Sequence, residues 1–559
     1  MRFHPRLLDT LPGYNRTQFA HDAGAGITVG VLALPLAMAF AIASGMSPTA
    51  GIWTAIVAGF LISLLGGSRV QIGGPTGAFI PIIYAIVIDY GVANLLIASM
   101  LAGMILIAMG AFRLGGMIRF IPISVVIGFT NGIAVVIFLS QIKDFLGLQI
   151  DQLPGEFFSK VSTLAGALGT THLPTVALAT ASLALLIGWN RLAQHIRWMR
   201  RLPGPLGVLV VGTAATALFN LPVDTIGSRF GGIPQAVPAL AFPELDLSNL
   251  GKLIAPALTI AMLGAIESLL SARVADGQID DRHDPNQELL AQGAANLIAP
   301  LFGGFAATGA IARTATNVRS GGRTPVAGII HSVVLLAVVL ALAPLAHHIP
   351  LATLSAIVVM VSVHMGEWHA FKTLGRFSAA YRTVLLSTFF ITVVFDLTLA
   401  VELGLVMASL FFIHRVSDLT RIEPVPQDNA GIDPRIQVFR LFGSLFFGAA
   451  NKLESLLVAA DTRPAVIVLS LDKVINIDTT GLEILQNLHR TLAKQGASLV
   501  LCGLNAQPAS LIARSGFATQ LGEANIVGSL EAALARASAC AAKAGELSPS
   551  PLGGASPVP

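Results

Sequence analysis

The chain has 559 residues, 54% of them hydrophobic and only 11% charged, with a formal net charge of +4 and a mean hydropathy of +0.76. Soluble domains carry about 25% charged residues, so a wholly water-soluble protein is excluded; a bilayer accepts this apolar surface, and the length admits roughly a dozen or more spans of about 20 residues plus one domain. Two cysteines, Cys502 and Cys540, leave no basis for a disulfide framework or a cysteine-based metal site.

Residues 1–22 hold Arg2, Arg6 and Arg16 among polar residues, and the apolar run that begins near Ala23 is long enough to span. It reads as a retained first helix behind a cytoplasmic N-terminal segment, not as a cleaved signal. Apolar runs recur at 23–44, 50–66, 75–89, 92–112, 120–141, 173–190, 204–220, 253–272, 288–302, 309–318, 325–345, 351–363, 382–396 and 398–414, within a transmembrane domain covering 23–415. The runs at 75–89 and 309–318 are too short to cross a hydrocarbon core of about 30 Å as continuous helices.

With the N-terminus inside, the cytoplasmic loops hold Arg69; Arg113 and Arg119; Arg191, Arg197, Arg200 and Arg201; Arg273 and Arg282; Arg319 and Arg323; Lys372, Arg376 and Arg382; then Arg415 and Arg421. The opposite loops hold chiefly Lys143, Lys160, Arg229 and Lys252. This positive-inside bias predicts a bacterial inner-membrane protein with both termini in the cytoplasm. A linker is expected at 416–434. Beyond it, β-branched or apolar runs at 436–442, 465–471 and 498–502 alternate with helical patterns at 481–495 and 508–515. The alternation predicts a small α/β domain over 435–542. Residues 543–559, mostly Ser, Pro, Gly and Ala toward the end, read as a disordered tail.

Two segments look alike. One is Gly73-Gly74-Pro75-Thr76-Gly77-Ala78-Phe79; the other is Gly303-Gly304-Phe305-Ala306-Ala307-Thr308-Gly309-Ala310-Ile311-Ala312-Arg313. Each is glycine-rich, contains Thr-Gly and opens a short apolar helix. They occupy runs 3 and 10 of fourteen, the same place in each set of seven. Seven is odd, so the second half must be inverted relative to the first. The predicted fold is an α-helical polytopic membrane protein of 14 spans, arranged as a 7+7 inverted repeat. Paired interrupted segments at matching places point to a transport site. A half-helix starting mid-membrane leaves its first amides unpaired and presents the positive end of its dipole there. Two such ends facing each other hold an anion without a basic side chain. The same glycines also suit close helix packing.

Glu267 lies inside an apolar run, where a carboxylate is costly unless paired, protonated or facing water. Arg313 lies one turn into the tenth run. Its guanidinium is placed to pair with Glu267 or to hold the anion, and together the two suggest proton coupling; a static ion pair is the alternative. Pro35 is expected to break the first helix and turn the residues after it, Phe40 included, toward the cavity between the half-helices, or else simply to kink it. Asn131 is expected to bond a neighbouring helix and His331 to be a satisfied packing histidine. Arg273 and Asp276 read as interfacial, and Asp396 and Glu402 as end caps. Gln141, Lys143 and Asp144 read as an entrance or as snorkelling side chains. His347 and His348 lack acidic neighbours, so no metal site is expected there. No Walker loop, metal-ligand cluster or Ser-His-Asp arrangement suggests an enzyme, a cofactor or a nucleic-acid partner.

These segments resemble the sulfate permease (SulP) family of anion transporters, animal members of which form solute carrier family 26. The resemblance rests on residues 22–43, 73–78 and 288–323 and on the C-terminal domain. It implies core and gate domains, with a small-anion site between the N-termini of spans 3 and 10. Those ends fall at Thr76, Gly77 and Ala78 and at Ala310, Ile311 and Ala312. The family's span-8 carboxylate is matched by Glu267 and its span-10 arginine by Arg313, the pair that carries coupling in proton-driven relatives. A homodimer in the bilayer is also implied. Many sulfate-transporting members carry Ser-Phe-Ser-Arg where this chain has Ala310-Ile311-Ala312-Arg313, and glutamine where it has Leu36. The pocket is thereby less polar, which leans from sulfate toward a C4 dicarboxylate. Residues 141–149 and 261–270 resemble dicarboxylate carriers within the family. The C-terminal domain resembles the STAS module. Its Asp478, Thr479 and Thr480 match a loop that is phosphorylated in some relatives and implies a cytosolic partner; capping the following helix is the simpler role.

Overall fold

The structure, a computed structural model, describes residues 3–116, 122–193, 195, 203–243, 250–395, 397–426, 433–446 and 464–546. Arg119, Arg197, Arg200, Arg201, Asp396 and most of the expected tail lie outside the described residues, as does the side chain of Glu402. The chain divides into two compact units, 1–405 and 406–559.

The first unit is helical. A short α1 (Arg6–Thr10) precedes α2 (Arg16–Ala43) and α3 (Pro48–Leu65). Asn15 and Gln18 form a reciprocal cap at the start of α2, satisfying two of its free amides. Ser47 caps α3, with Pro48 at the first helical position, where its missing N–H costs nothing. A two-residue strand β1 (Gly73–Gly74) and a 3-10 turn (Gly77–Phe79) lead into α4 (Ile80–Ala111). There follow α5 (Ile123–Leu146), α6 (Phe157–Gly166), α7 (Leu173–Leu192), α8 (Gly204–Phe219), α9 (Ile226–Phe230), α10 (Leu250–Ile279) and α11 (Pro285–Ile298). A second two-residue strand, β2 (Thr308–Gly309), precedes α12 (Ile311–Arg319), α13 (Val326–Leu342), α14 (Leu351–Met365), α15 (Trp368–Lys372) and α16 (Ala379–Val394). Last comes α17 (Leu397–Leu419), of which the residues from Val406 onward fall in the second unit.

Among the described residues six helical segments are long and apolar enough to cross a membrane, and four shorter ones are apolar. The expected break between runs 3 and 4 falls at Gly91, whose φ of 82° and ψ of 167° interrupt α4. Pro35, expected to break the first helix, instead sits inside a continuous α2. Neighbouring groups in a membrane helix bundle can accommodate proline without a break.

Small residues bring helices together, as they do where no hydrophobic driving force separates helix from lipid. A methyl group on Gly103 of α4 would lie 2.7 Å from the Gly293 carbonyl of α11, and one on Gly293 would lie 2.7 Å from the Gly103 carbonyl. Gly128 and Gly132 of α5 meet α16 in the same way. Asp22, fully buried, ties the start of α2 to the turn before α13. Its carboxylate accepts from the amides of Arg323 and Thr324, the Thr324 hydroxyl and the Tyr14 phenol. Two of the sequence stretches that carry the family resemblance are thus hydrogen-bonded to each other.

The second unit is a five-stranded sheet with helices on both faces. Its strands are β3 (Arg421–Pro424), β4 (Ile436–Leu445), β5 (Val466–Ile477), β6 (Ser498–Cys502) and β7 (Ile526–Val527), in that spatial order. The β3–β4 pair is antiparallel and the rest are parallel. The helices are α18 (Thr479–Lys494), α19 (Ala506–Arg514), α20 (Phe517–Leu521) and α21 (Leu530–Glu546). Alternation along β5 divides its core: Ile467 and Leu469 pack with Leu485 and Leu488 of α18, whereas Val466 and Val468 pack with Ala533 and Ala537 of α21. Three features correct the sequence reading. β3 lies within the expected linker, β7 was not foreseen, and α21 runs to Glu546, into the expected tail.

Candidate functional site

The two glycine-rich segments meet as a ribbon. Gly73 pairs with Gly309 and Gly74 with Thr308, antiparallel. Each strand is followed at once by a helix start, the 3-10 turn into α4 on one side and α12 on the other. Because the strands run in opposite directions, the two helix starts adjoin opposite ends of the ribbon.

Extended backbone inside a membrane protein must have its polar groups satisfied from within. Here side chains from α3, α11 and α12 do this. The Asn296 amide both donates to the Ala307 carbonyl and accepts from the Ala307 amide, each at 2.8 Å. Thr54 accepts from the Phe305 amide at 2.8 Å, and Thr314 from the Ile72 amide at 3.0 Å. Asn317 donates to the Val70 carbonyl, and the segments' own Thr308 and Gln71 anchor them to α10 by donating to its Gly264 and Ser268 carbonyls. Sequence reading missed these side chains. Their signal was polar residues recurring within apolar runs, which is also what ordinary interhelical bonding looks like.

Neither helix start has a side-chain cap. The residue before the 3-10 turn is Thr76, whose hydroxyl is a potential cap. That hydroxyl instead donates to Oε2 of Glu267 at 2.8 Å. The residue before α12 is Ala310, which has nothing to cap with. Both helix starts therefore carry first-turn amides that no capping side chain occupies.

Arg313 is 1% exposed. Its guanidinium reaches across the ribbon and donates to the carbonyls of Pro75 and, at 3.5 Å, of Gly73. Glu267 is only partly buried and is held by Thr76. The pairing of Glu267 with Arg313 allowed by the sequence is not what the structure holds: no ion pair joins them among the described residues. Arg313 places its charge beside the ribbon while bonded to backbone. Gly74 makes room for it, since a methyl group there would lie 2.4 Å from Nη1 of Arg313, and its φ of +145° strongly favours glycine.

Around the first turn of the α4 arm, side chains from three helices converge. A methyl group on Gly77 would lie 3.5 Å from Sδ of Met365, 3.6 Å from Cδ1 of Ile137 and 3.9 Å from Cζ of Phe40. Phe40, Gly77 and Ala78 are buried together, and Ala310 is buried on the opposite arm. Ile311 and Ala312, the first residues of α12, are exposed. The structure therefore gathers Phe40, Thr76, Gly77 and Glu267 around one arm, and sets Ala310 and Arg313 on the ribbon from the other. Sequence reasoning missed Ile137 and Met365, because an apolar residue on an apolar helix carries no periodic signal.

The remaining residues fall elsewhere. Asp144 pairs with Arg229 at 2.9 Å, Lys143 donates to the Asp151 carbonyl and Gln141 to the Ser140 hydroxyl. Asp276 meets His283 at 2.6 Å, and Arg273 is exposed. Asn131 and His331, expected to be satisfied, are fully buried without a hydrogen-bond partner among the described residues. In the second unit the Asp478 carboxylate accepts from the Gly481 amide at 2.7 Å and caps α18, with Thr479 exposed and Thr480 half-buried beside it.

Residues 19–388 match the Sulfate permease family. The chain belongs to that family. Residues 429–533 match the STAS domain, so the second unit is this sulfate permease's STAS domain. YvdB of Bacillus subtilis (strain 168) is 43% identical over 528 residues, covering 94% of this chain and 98% of that protein. The bicarbonate transporter BicA of Picosynechococcus is 31% identical over 462 residues, 77% of this chain and 79% of its own. The solved transmembrane domain of a cyanobacterial BicA superposes with a TM-score of 0.62 at 31% identity, covering 71% of this chain and 98% of that one. Murine Slc26a9 in its inward-facing state gives 0.85 at 19% identity over 96% and 94% of the two chains. The latter shows that the sulfate permease and its STAS domain share the solute carrier 26 fold.

Proposed function

We propose that this sulfate permease is a secondary active anion transporter working by alternating access, a proton-coupled symporter of sulfate or C4 dicarboxylates such as succinate, fumarate and aspartate. The observation that carries the reading is the pair of uncapped helix starts joined back to back by the β1–β2 ribbon. Their free amides and dipoles favour a small anion, and the buried Arg313 adds a positive charge that is not consumed by a carboxylate. Glu267, hydrogen-bonded to the cap residue of one arm, is the group through which a proton would be linked to that anion. Anion transport also accords with relatives named for sulfate and bicarbonate, including the sodium-independent sulfate anion transporter of Bos taurus, 29% identical over 532 residues. The apolar Ala310, Ile311 and Ala312, and the likeness of residues 141–149 and 261–270 to the C4-dicarboxylate transporter DauA, favour an organic substrate. Fourteen crossings as a 7+7 repeat, a homodimer, cytoplasmic termini in a bacterial inner membrane and a cytosolic partner of the STAS domain belong to the same reading.

A second reading, sodium-coupled bicarbonate or chloride transport, is favoured by the likeness to BicA. A membrane anion sensor that does not transport is a third. Uptake of radiolabelled succinate and sulfate into proteoliposomes, with and without an inward proton gradient, separates them. Accumulation driven by the gradient is expected. Uptake set by sodium and indifferent to pH supports the second reading, and binding without flux the third.

A further inference from the structure

We propose that Met365, with Ile137 beside it, forms a wall of the anion site and determines which anions pass. The proposal rests on the transport reading above and adds to it residues from α5 and α14.

Of the three side chains nearest Gly77, Phe40 and Ile137 are buried and Met365 alone is half-buried. Met365 ends α14. Met365 thus stands against the uncapped turn and is itself partly exposed. An anion seated on the amides of the turn would pack against its side chain. Methionine suits this role, being unbranched, with three rotatable bonds and a polarizable sulfur that repacks at low cost. Its chemistry also selects. Sulfate presents oxygen in every direction, and oxygens turned toward Phe40, Ile137 and Met365 would lose water without gaining a donor, which is costly. A dicarboxylate can place one carboxylate on the amides and its methylene groups against the same three side chains.

The test uses the full chain in proteoliposomes. Met365→Ser should raise the ratio of sulfate to succinate uptake by about fivefold or more, the factor that a difference of about 1 kcal/mol produces. With Cys502 and Cys540 replaced by alanine, Met365→Cys should react with a soluble maleimide, and saturating succinate should slow that reaction. An uptake ratio within twofold of the unsubstituted protein overturns the proposal. So does a Met365→Cys protein that still transports but fails to react, or one whose reaction succinate leaves unchanged. If the unsubstituted protein carries neither anion, it is the transport reading that fails; if it carries succinate and the ratio does not move, the proposal fails alone.

Discussion

The hydroxyl of Thr76 donates to Oε2 of Glu267 across 2.8 Å and makes no cap on its own helix, so it ties the start of one half-helix to the carboxylate of α10. This hydrogen bond makes the position of that turn depend on the state of Glu267.

Replacing Thr76 by valine keeps the shape and removes the donor. A hydrogen bond to a charged group is worth about 1.5–3 kcal/mol, so transport should fall roughly tenfold or more while the protein remains folded. Thr76→Ser, which keeps the hydroxyl, should recover most of the rate. Initial uptake rates of the two variants, side by side, check this. An unchanged rate in Thr76→Val together with a loss in Thr76→Ser would mean that the methyl group matters and the bond does not.

Glu267→Gln keeps a hydrogen-bond acceptor for Thr76 and removes the titratable group. Gradient-driven accumulation should disappear, while exchange of labelled for unlabelled anion across the membrane persists. Accumulation equal to that of the unsubstituted protein would remove Glu267 from the coupling role.

Gly74→Ala addresses the ribbon. The φ of +145° is strained for alanine, by about 1–3 kcal/mol, and the added methyl would meet Arg313 at 2.4 Å. The midpoint of thermal unfolding in detergent should fall by several degrees and anion affinity with it. Gly24→Ala, at an open position on α2, should leave the midpoint unchanged or raise it slightly, since alanine is favoured over glycine in a helix by about 0.5–1 kcal/mol.

In the STAS domain, Asp478→Ala removes the cap of α18. Loss of an N-cap costs about 1 kcal/mol, so hydrogen exchange at the Gly481 amide should quicken about fivefold, the factor that energy corresponds to. Unchanged protection would mean that the helix start is held by other contacts, such as the paired hydrogen bonds between Gln507 and Ile477.

Much of this architecture could be read in the sequence. The half-helices announced themselves through Gly73-Gly74 and Thr308-Gly309, because glycine pairs and Thr-Gly within an apolar run have few uses. Their pairing into a ribbon was not legible. Two-residue strands have no periodicity, and their partners are far apart in the chain. The break at Gly91 was readable from run lengths, whereas α2 ran through Pro35 because a packed membrane helix tolerates proline. Arg313 was recognised as unusual, but its partners are backbone carbonyls, which no residue pattern encodes. Met365 and Ile137 were invisible for the opposite reason: they match their surroundings. In the STAS domain β3 and β7 are too short to register, while β4, β5 and β6 were plain from their apolar runs.

The proposed transport mechanism requires an anion seated against the two helix starts. Its most direct measurement is the position of a heavy-atom substrate analogue, selenate for sulfate or a bromosuccinate for a dicarboxylate, in an experimental structure of the full chain. The account predicts density within hydrogen-bond reach of the amides at Gly77 and Ala78 or at Ile311 and Ala312, beside the β1–β2 ribbon. Density elsewhere, with those amides empty at a concentration that saturates uptake, would contradict it.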